Sequence, residues 1–180
     1  MKEKNKYSLV QWVFMALCCV MGMFSKGIIL PISDVVTTVV GTPGGIATSF
    51  SLMFLVIGAR LCSVPFAATL MGVVQGFLAI ALGMTGSMGA LAPIGYILPG
   101  IAIDICYLII KKLNISSLKL VPITNGLAAV TAAIFKNSVT YRISGPILAL
   151  YLLVALTSGI VFGILGMTLL KILKPIIKFE

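Results

Sequence analysis

The sequence predicts an all-α fold: an integral membrane bundle of six transmembrane helices, residues 1–180 forming one domain with both termini in the cytoplasm. Three observations lead there. Of 180 residues, 60% are hydrophobic and only 9% are charged, against about 25% charged in an ordinary globular domain. Mean hydropathy is +1.20, and a water-soluble fold of this size cannot bury that much apolar surface. The apolar residues fall into six runs, with the basic residues clustered between them. A soluble enzyme, a disordered tail and a nucleic-acid-binding domain are poor fits to such a chain. No nucleic-acid partner is expected, although the net charge is +9.

The runs set the elements. The first span covers about Leu9 to Phe24. It outlasts a signal-peptide core and no small-residue cleavage site closes it, so it reads as membrane-spanning. A loop is expected next, containing Lys26, Pro31 and Asp34 and ending in the turn-prone Gly41-Thr42-Pro43-Gly44-Gly45. Span two begins at Ile46 and ends at Ile57 or Cys62. Span three starts after Pro65 and reaches about Met84. Span four runs from Leu91 to Ile110 around Pro99-Gly100, span five from Val121 to Phe135, and span six from Ile147 to Leu170. The bilayer core needs about 20 apolar residues per crossing, which six runs of this chain can supply.

Orientation follows from the positive-inside rule. With the N-terminus inside, the cytoplasmic segments hold Lys2, Lys4, Lys6, Arg60, Lys111, Lys112, Lys119, Lys171, Lys174 and Lys178. The outer segments hold Lys26, Lys136 and Arg142, so the bias is ten against three.

Chemistry is sparse. The chain has no His, which removes the usual general base and the commonest metal ligand. Cys18, Cys19, Cys62 and Cys106 lack CxxC spacing and read as small apolar packing residues. No nucleotide-binding or hydrolase motif is present. The chain is expected to be a non-enzyme without metal or catalytic residues. Any ATP-driven step requires another chain.

Asp104 is the one carboxylate within an apolar span, where an unpaired acid costs several kcal/mol. It reads either as a buried polar staple, with Gln75 or Arg60 as partner, or as a solute or proton site. Gly72 and Gly76 in span three, and Gly159 and Gly163 in span six, stand four apart. Such pairs serve either internal packing or a membrane partner. The solute candidates are polar residues in or near the outer loops, Asp34, Thr42, Tyr96, Lys136, Asn137, Tyr141 and Arg142, with Asn125 inside span five. The plain alternative is that loops are simply polar and turn-rich.

One stretch carries a resemblance. Val64-Pro65-Phe66-Ala67-Ala68-Thr69-Leu70-Met71-Gly72-Val73-Val74-Gln75-Gly76, followed by Leu98-Pro99-Gly100-Ile101-Ala102-Ile103-Asp104, resembles the substrate-binding S-components of energy-coupling factor (ECF) vitamin transporters. The P-x-A-A-T and P-G-x-x-x-D runs are similar to those of S-components for thiamine precursors and for cobalamin. The resemblance implies a multi-pass protein of a prokaryotic cell membrane that captures a vitamin outside. It implies docking on a membrane coupling subunit, T, that carries two cytoplasmic ATPases. ATP is then used by those partners, and no cofactor is held here. The family docks through a small-residue strip on the first span. The corresponding residues are Ala16, Cys19, Val20, Gly22 and Met23, with Val20 departing from the family's second alanine. The competing expectation is a stand-alone proton-coupled transporter that uses Asp104.

Overall fold

The computed structural model describes residues 9–40, 45–62, 64–113 and 118–176. These form six α-helices and, among the described residues, no strand. They are α1 (Leu9–Val40), α2 (Ile46–Cys62), α3 (Ala67–Ala81), α4 (Ala92–Lys112), α5 (Val121–Ile134) and α6 (Pro146–Ile176). A 3-10 turn, Gly86–Leu91, leads into α4, and a π-helical turn, Phe135–Thr140, extends α5.

Helices α2 to α5 start and end close to the apolar runs that predict them, and α6 starts on its run but continues past Leu170 to Ile176. The first departs further. Instead of ending near Phe24, α1 continues through Lys26, Pro31 and Asp34 to Val40, so these three residues are helical and not in a loop. Pro31 deprives only the Gly27 carbonyl of its helical donor, and bundled apolar helices tolerate such a proline when neighbours cover the freed group. Lys26 finds a partner on α4, described below.

Three helices have the length and apolarity to cross a membrane: Leu9–Val35, Met88–Lys112 and Pro146–Pro175, with mean hydropathy of 2.1, 1.8 and 2.4. At 1.5 Å per residue they extend roughly 40, 38 and 45 Å, against a hydrocarbon core of about 30 Å. The apolar α2 and α3 are shorter, at 17 and 15 residues. The protein is thus all-helical, with a surface and three long helices compatible with a bilayer.

The packing has the inverted character expected when lipid is the solvent. Large side chains such as Trp12, Phe24, Phe77, Leu150 and Val161 lie on the outside. Ala67, Ala68, Ala79, Ala92 and Ala128 are fully buried, along with Leu55 and Ile103. Small residues inside allow helix backbones to approach without a hydrophobic force between helices. The spaced glycines serve this internal packing. A Cβ on Gly72 would lie 2.6 Å from the Tyr96 carbonyl of α4, and one on Gly100 would lie 2.6 Å from the Ala68 carbonyl of α3. Gly159 stands against Gly126 of α5, where a Cβ would come within 2.7 Å of its Cα, and Gly163 stands against Pro122.

Close approach of α4 to α3 places Asp104. Gly100 and Asp104 are four apart, hence on one face of α4. Asp104 accepts from the Ala68 amide (3.3 Å), the Thr69 amide (2.8 Å) and the Thr69 hydroxyl (2.6 Å). Phe66, at the N-cap position of α3, has a left-handed φ of 56° and gives no side-chain cap. The carboxylate of α4 therefore does the work of a helix N-cap from another helix, satisfying amides the helix cannot satisfy itself. Neither Gln75 nor Arg60 is its partner, contrary to the expectation from sequence. Gln75 donates from Nε2 to the Cys19 carbonyl of α1 at 3.0 Å. Arg60 stacks over the Tyr107 ring, 5.8 Å from its centroid.

Candidate functional site

The site is built at the end of the bundle away from Cys62, Lys111 and Leu170. Four segments meet there: α1 beyond Pro31, the start of α2, the end of α5 with its π-helical turn, and the start of α6. They enclose an open cavity of about 420 Å3. Asp34 lines it from α1, and Gly45 and Thr48 from the start of α2. Ala129, Ala132, Ala133, Lys136, Asn137 and Tyr141 line it from α5 and its extension. Ile143, Tyr151 and Ala155 complete the wall.

The π-helical turn sets the geometry. The Tyr141 amide donates to the Lys136 carbonyl at 3.2 Å, five residues back, and the Ile143 amide donates to the Asn137 carbonyl at 2.9 Å. Arg142 then takes a left-handed φ of 53° and reverses the chain, before Gly145 (φ 72°) and Pro146 start α6. Widened turns of this kind occur often at functional sites. Here the turn buries Asn137, whose Nδ2 donates to the Ala133 carbonyl at 2.9 Å. The Lys136 ammonium lies 5.7 Å from the Tyr141 ring centroid, within cation–π range.

Four of the residues singled out from sequence, Asp34, Lys136, Asn137 and Tyr141, share this cavity. The others go elsewhere. Tyr96 is engaged by Lys26, whose Nζ donates to its hydroxyl at 3.2 Å and lies 4.6 Å from its ring centroid; the pair ties α1 to α4. Arg142 is exposed just beyond the turn. Asn125 is fully buried one helical turn below Ala129, donating to the Ser49 and Gly159 carbonyls at 3.2 and 2.8 Å. It ties α5 to α2 and α6. Thr42 lies outside the described residues.

Thr48, Ile143 and Tyr151 belong to the cavity without having stood out in the sequence. Tyr151 is a polar aromatic near the start of an otherwise apolar run, which is a weak signal. Thr48 and Ile143 carry none, since each enters only through the meeting of α2 with α5 and α6.

The five-residue strip on α1 divides between two faces. Ala16 and Val20, four apart, are exposed, whereas Cys19, Gly22 and Met23 are buried. The buried three are held there by α2 and α3. The Cys19 carbonyl accepts from Gln75, and the Gly22 carbonyl accepts from the Ser51 hydroxyl at 2.7 Å. Of the five residues, Ala16 and Val20 alone lie on the surface of this bundle.

Fold and site together define an apolar helical protein, compatible with a membrane, with a polar-lined cavity at one end of its bundle. No family model, curated protein or solved structure matches this chain.

Proposed function

We propose that this protein is the solute-capturing membrane subunit of an ECF-type importer. It spans the cell membrane six times with both termini inside, and binds a vitamin from the outer side. The coupling subunit and two ATPases supply transport energy by ATP hydrolysis. Cobalamin, thiamine and the pyrimidine precursor of thiamine are the vitamins implied by the resemblance of the Pro65–Gly76 and Pro99–Asp104 stretches.

One observation carries this reading. Asp34, Lys136, Asn137 and Tyr141 come together around one cavity at the end opposite the basic clusters of Lys111, Lys112, Lys171 and Lys174. The positive-inside rule assigns those clusters to the cytoplasm, so the cavity opens outward. Small-molecule sites have this make-up of apolar wall and a few convergent polar groups. The two motif stretches pack on each other through Gly72, Gly100 and the Asp104 cap. That gives their shared spacing a structural purpose. Asp104 is engaged with three donors of α3, which favours the staple over a proton carrier.

The test is reconstitution. The lone protein in proteoliposomes should bind solute without accumulating it. Accumulation should appear only with a membrane coupling subunit and its ATPases, and should stop without ATP. Uptake by the lone chain driven by a pH gradient would replace this reading with the secondary transporter.

A further inference from the structure

The last turn of α2 carries Arg60, and the last turn of α4 carries Lys111 and Lys112. All three stand at the end of the bundle opposite the cavity. The two lysines are exposed, so water can satisfy them. Arg60 is half-buried, and its Nε is closed off with no hydrogen-bond partner. Helix C-termini attract cations, which accounts for a basic residue at this position but leaves that N–H unmade. A buried donor of a charged group without an acceptor is costly.

Tyr107 holds the guanidinium in place. Its hydroxyl donates to the Val56 carbonyl, one turn before Arg60, at 3.2 Å, and the guanidinium carbon lies 5.8 Å from its ring centroid. The ring satisfies the face of the cation but accepts nothing from Nε. No carboxylate does so either. Of the two carboxylates among the described residues, Asp104 spends both oxygens on Ala68 and Thr69 of α3, and Asp34 lines the cavity at the far end.

A guanidinium in this state suits an oxyanion with two oxygens to offer, a phosphate or a carboxylate. The surroundings choose between them. Tyr107 and Lys111 are four apart, so Lys111 follows Tyr107 on one face of α4 and adds a second positive charge beyond the ring. Beside that face, Ile105, Leu108, Ile109 and Lys112 form a stripe at helical spacing, and its three apolar residues are exposed. A cationic helix end above an exposed apolar stripe matches a phospholipid, with an anionic head at the basic residues and chains along the helix.

We infer that Arg60, with Lys111 and Lys112, binds the phosphate of an anionic phospholipid whose chains lie on Ile105, Leu108 and Ile109. The phosphate oxygens take the N–H groups that the protein leaves unmade. The bound lipid also braces α2 against α4, which otherwise touch sparsely. The inference goes beyond vitamin capture and does not rest on it.

The test is native mass spectrometry and thermal unfolding of the full-length protein in detergent, with phosphatidylglycerol, phosphatidylcholine or inorganic phosphate added. Phosphatidylglycerol should bind about tenfold more tightly than phosphatidylcholine and raise the unfolding temperature, and inorganic phosphate should leave that temperature unchanged. Arg60→Gln should lose about tenfold in phosphatidylglycerol affinity, and Arg60→Lys, which keeps the charge without the fork, most of that. Lys174→Gln, at the same end on α6, should lose less than about twofold. Should Arg60→Gln not fold, Arg60→Lys decides. Native affinity in the Arg60 variants, an equal loss in Lys174→Gln, equal binding of the two lipids, or the same stabilisation by inorganic phosphate overturns the inference. Native lipid affinity in Arg60→Gln together with lost ATP-driven uptake would assign the guanidinium to the coupling subunit, and overturns it too.

Discussion

Replacing Asp104 separates a structural cap from a proton carrier. In Asp104→Ala the Ala68 amide, the Thr69 amide and the Thr69 hydroxyl lose their acceptor at once. Loss of a helix N-cap costs about 0.5–2 kcal/mol, and a buried donor left unmade costs about 1–3 kcal/mol. The Thr69 hydroxyl can turn to another acceptor, so about 3 kcal/mol is expected in all. Asp104→Asn keeps one acceptor oxygen and loses the favourable charge at the start of α3, worth about 0.3–1 kcal/mol. About 1 kcal/mol is expected for it. With roughly 2–4 °C per kcal/mol for a chain of this size, thermal unfolding in detergent should fall by about 6–12 °C for Ala and about 2–4 °C for Asn. The informative assay is uptake by Asp104→Asn in proteoliposomes across pH. A cap predicts near-native uptake with an unchanged pH profile. Abolished uptake by a protein that still unfolds within a few degrees of the native one would refute the cap and restore Asp104 as a carrier.

Three further outcomes are expected. Gly72→Val should destabilise the α3–α4 pair by several kcal/mol, because its Cβ meets backbone of α4 that cannot move aside; unchanged thermal unfolding would show that the helices stand further apart. Asn125→Ala should cost about 1 kcal/mol and leave solute affinity within about twofold, since Asn125 lies below the cavity floor; a tenfold loss in titration would extend the site downward. Ala16→Glu should block coupled uptake while solute binding and thermal unfolding stay native. Gly22→Glu should instead fail to fold stably, because even a Cβ there would lie 2.8 Å from Gln75 Nε2. Equal behaviour of the two variants would refute the division of α1 into two faces.

Much of this molecule is written in local composition. An apolar run long enough to leave water becomes a helix because its backbone must bond internally, so α2 to α6 could be located from hydropathy alone. Asp34, Lys136, Asn137 and Tyr141 were legible as polar residues beside apolar runs. The continuation of α1 was not, because two charges and a proline, Lys26, Asp34 and Pro31, read as a loop after an apolar run, until Tyr96 is there to receive Lys26.

What the linear order withheld was distance. Asp104 and Thr69 are 35 positions apart, and their contact exists only because Gly100 lets two backbones close to within reach. The cavity gathers side chains from α1, α2, α5 and α6, whose spacing in sequence carries no record of their meeting. Sequence by itself determined the solvent-like surroundings, the helices and the charge asymmetry of the ends, since these depend on transfer free energies summed over neighbouring residues. Tertiary structure alone decided which polar groups brace the bundle and which face the cavity, because that depends on helix rotation and close approach, and these are set by small residues packing against distant backbone.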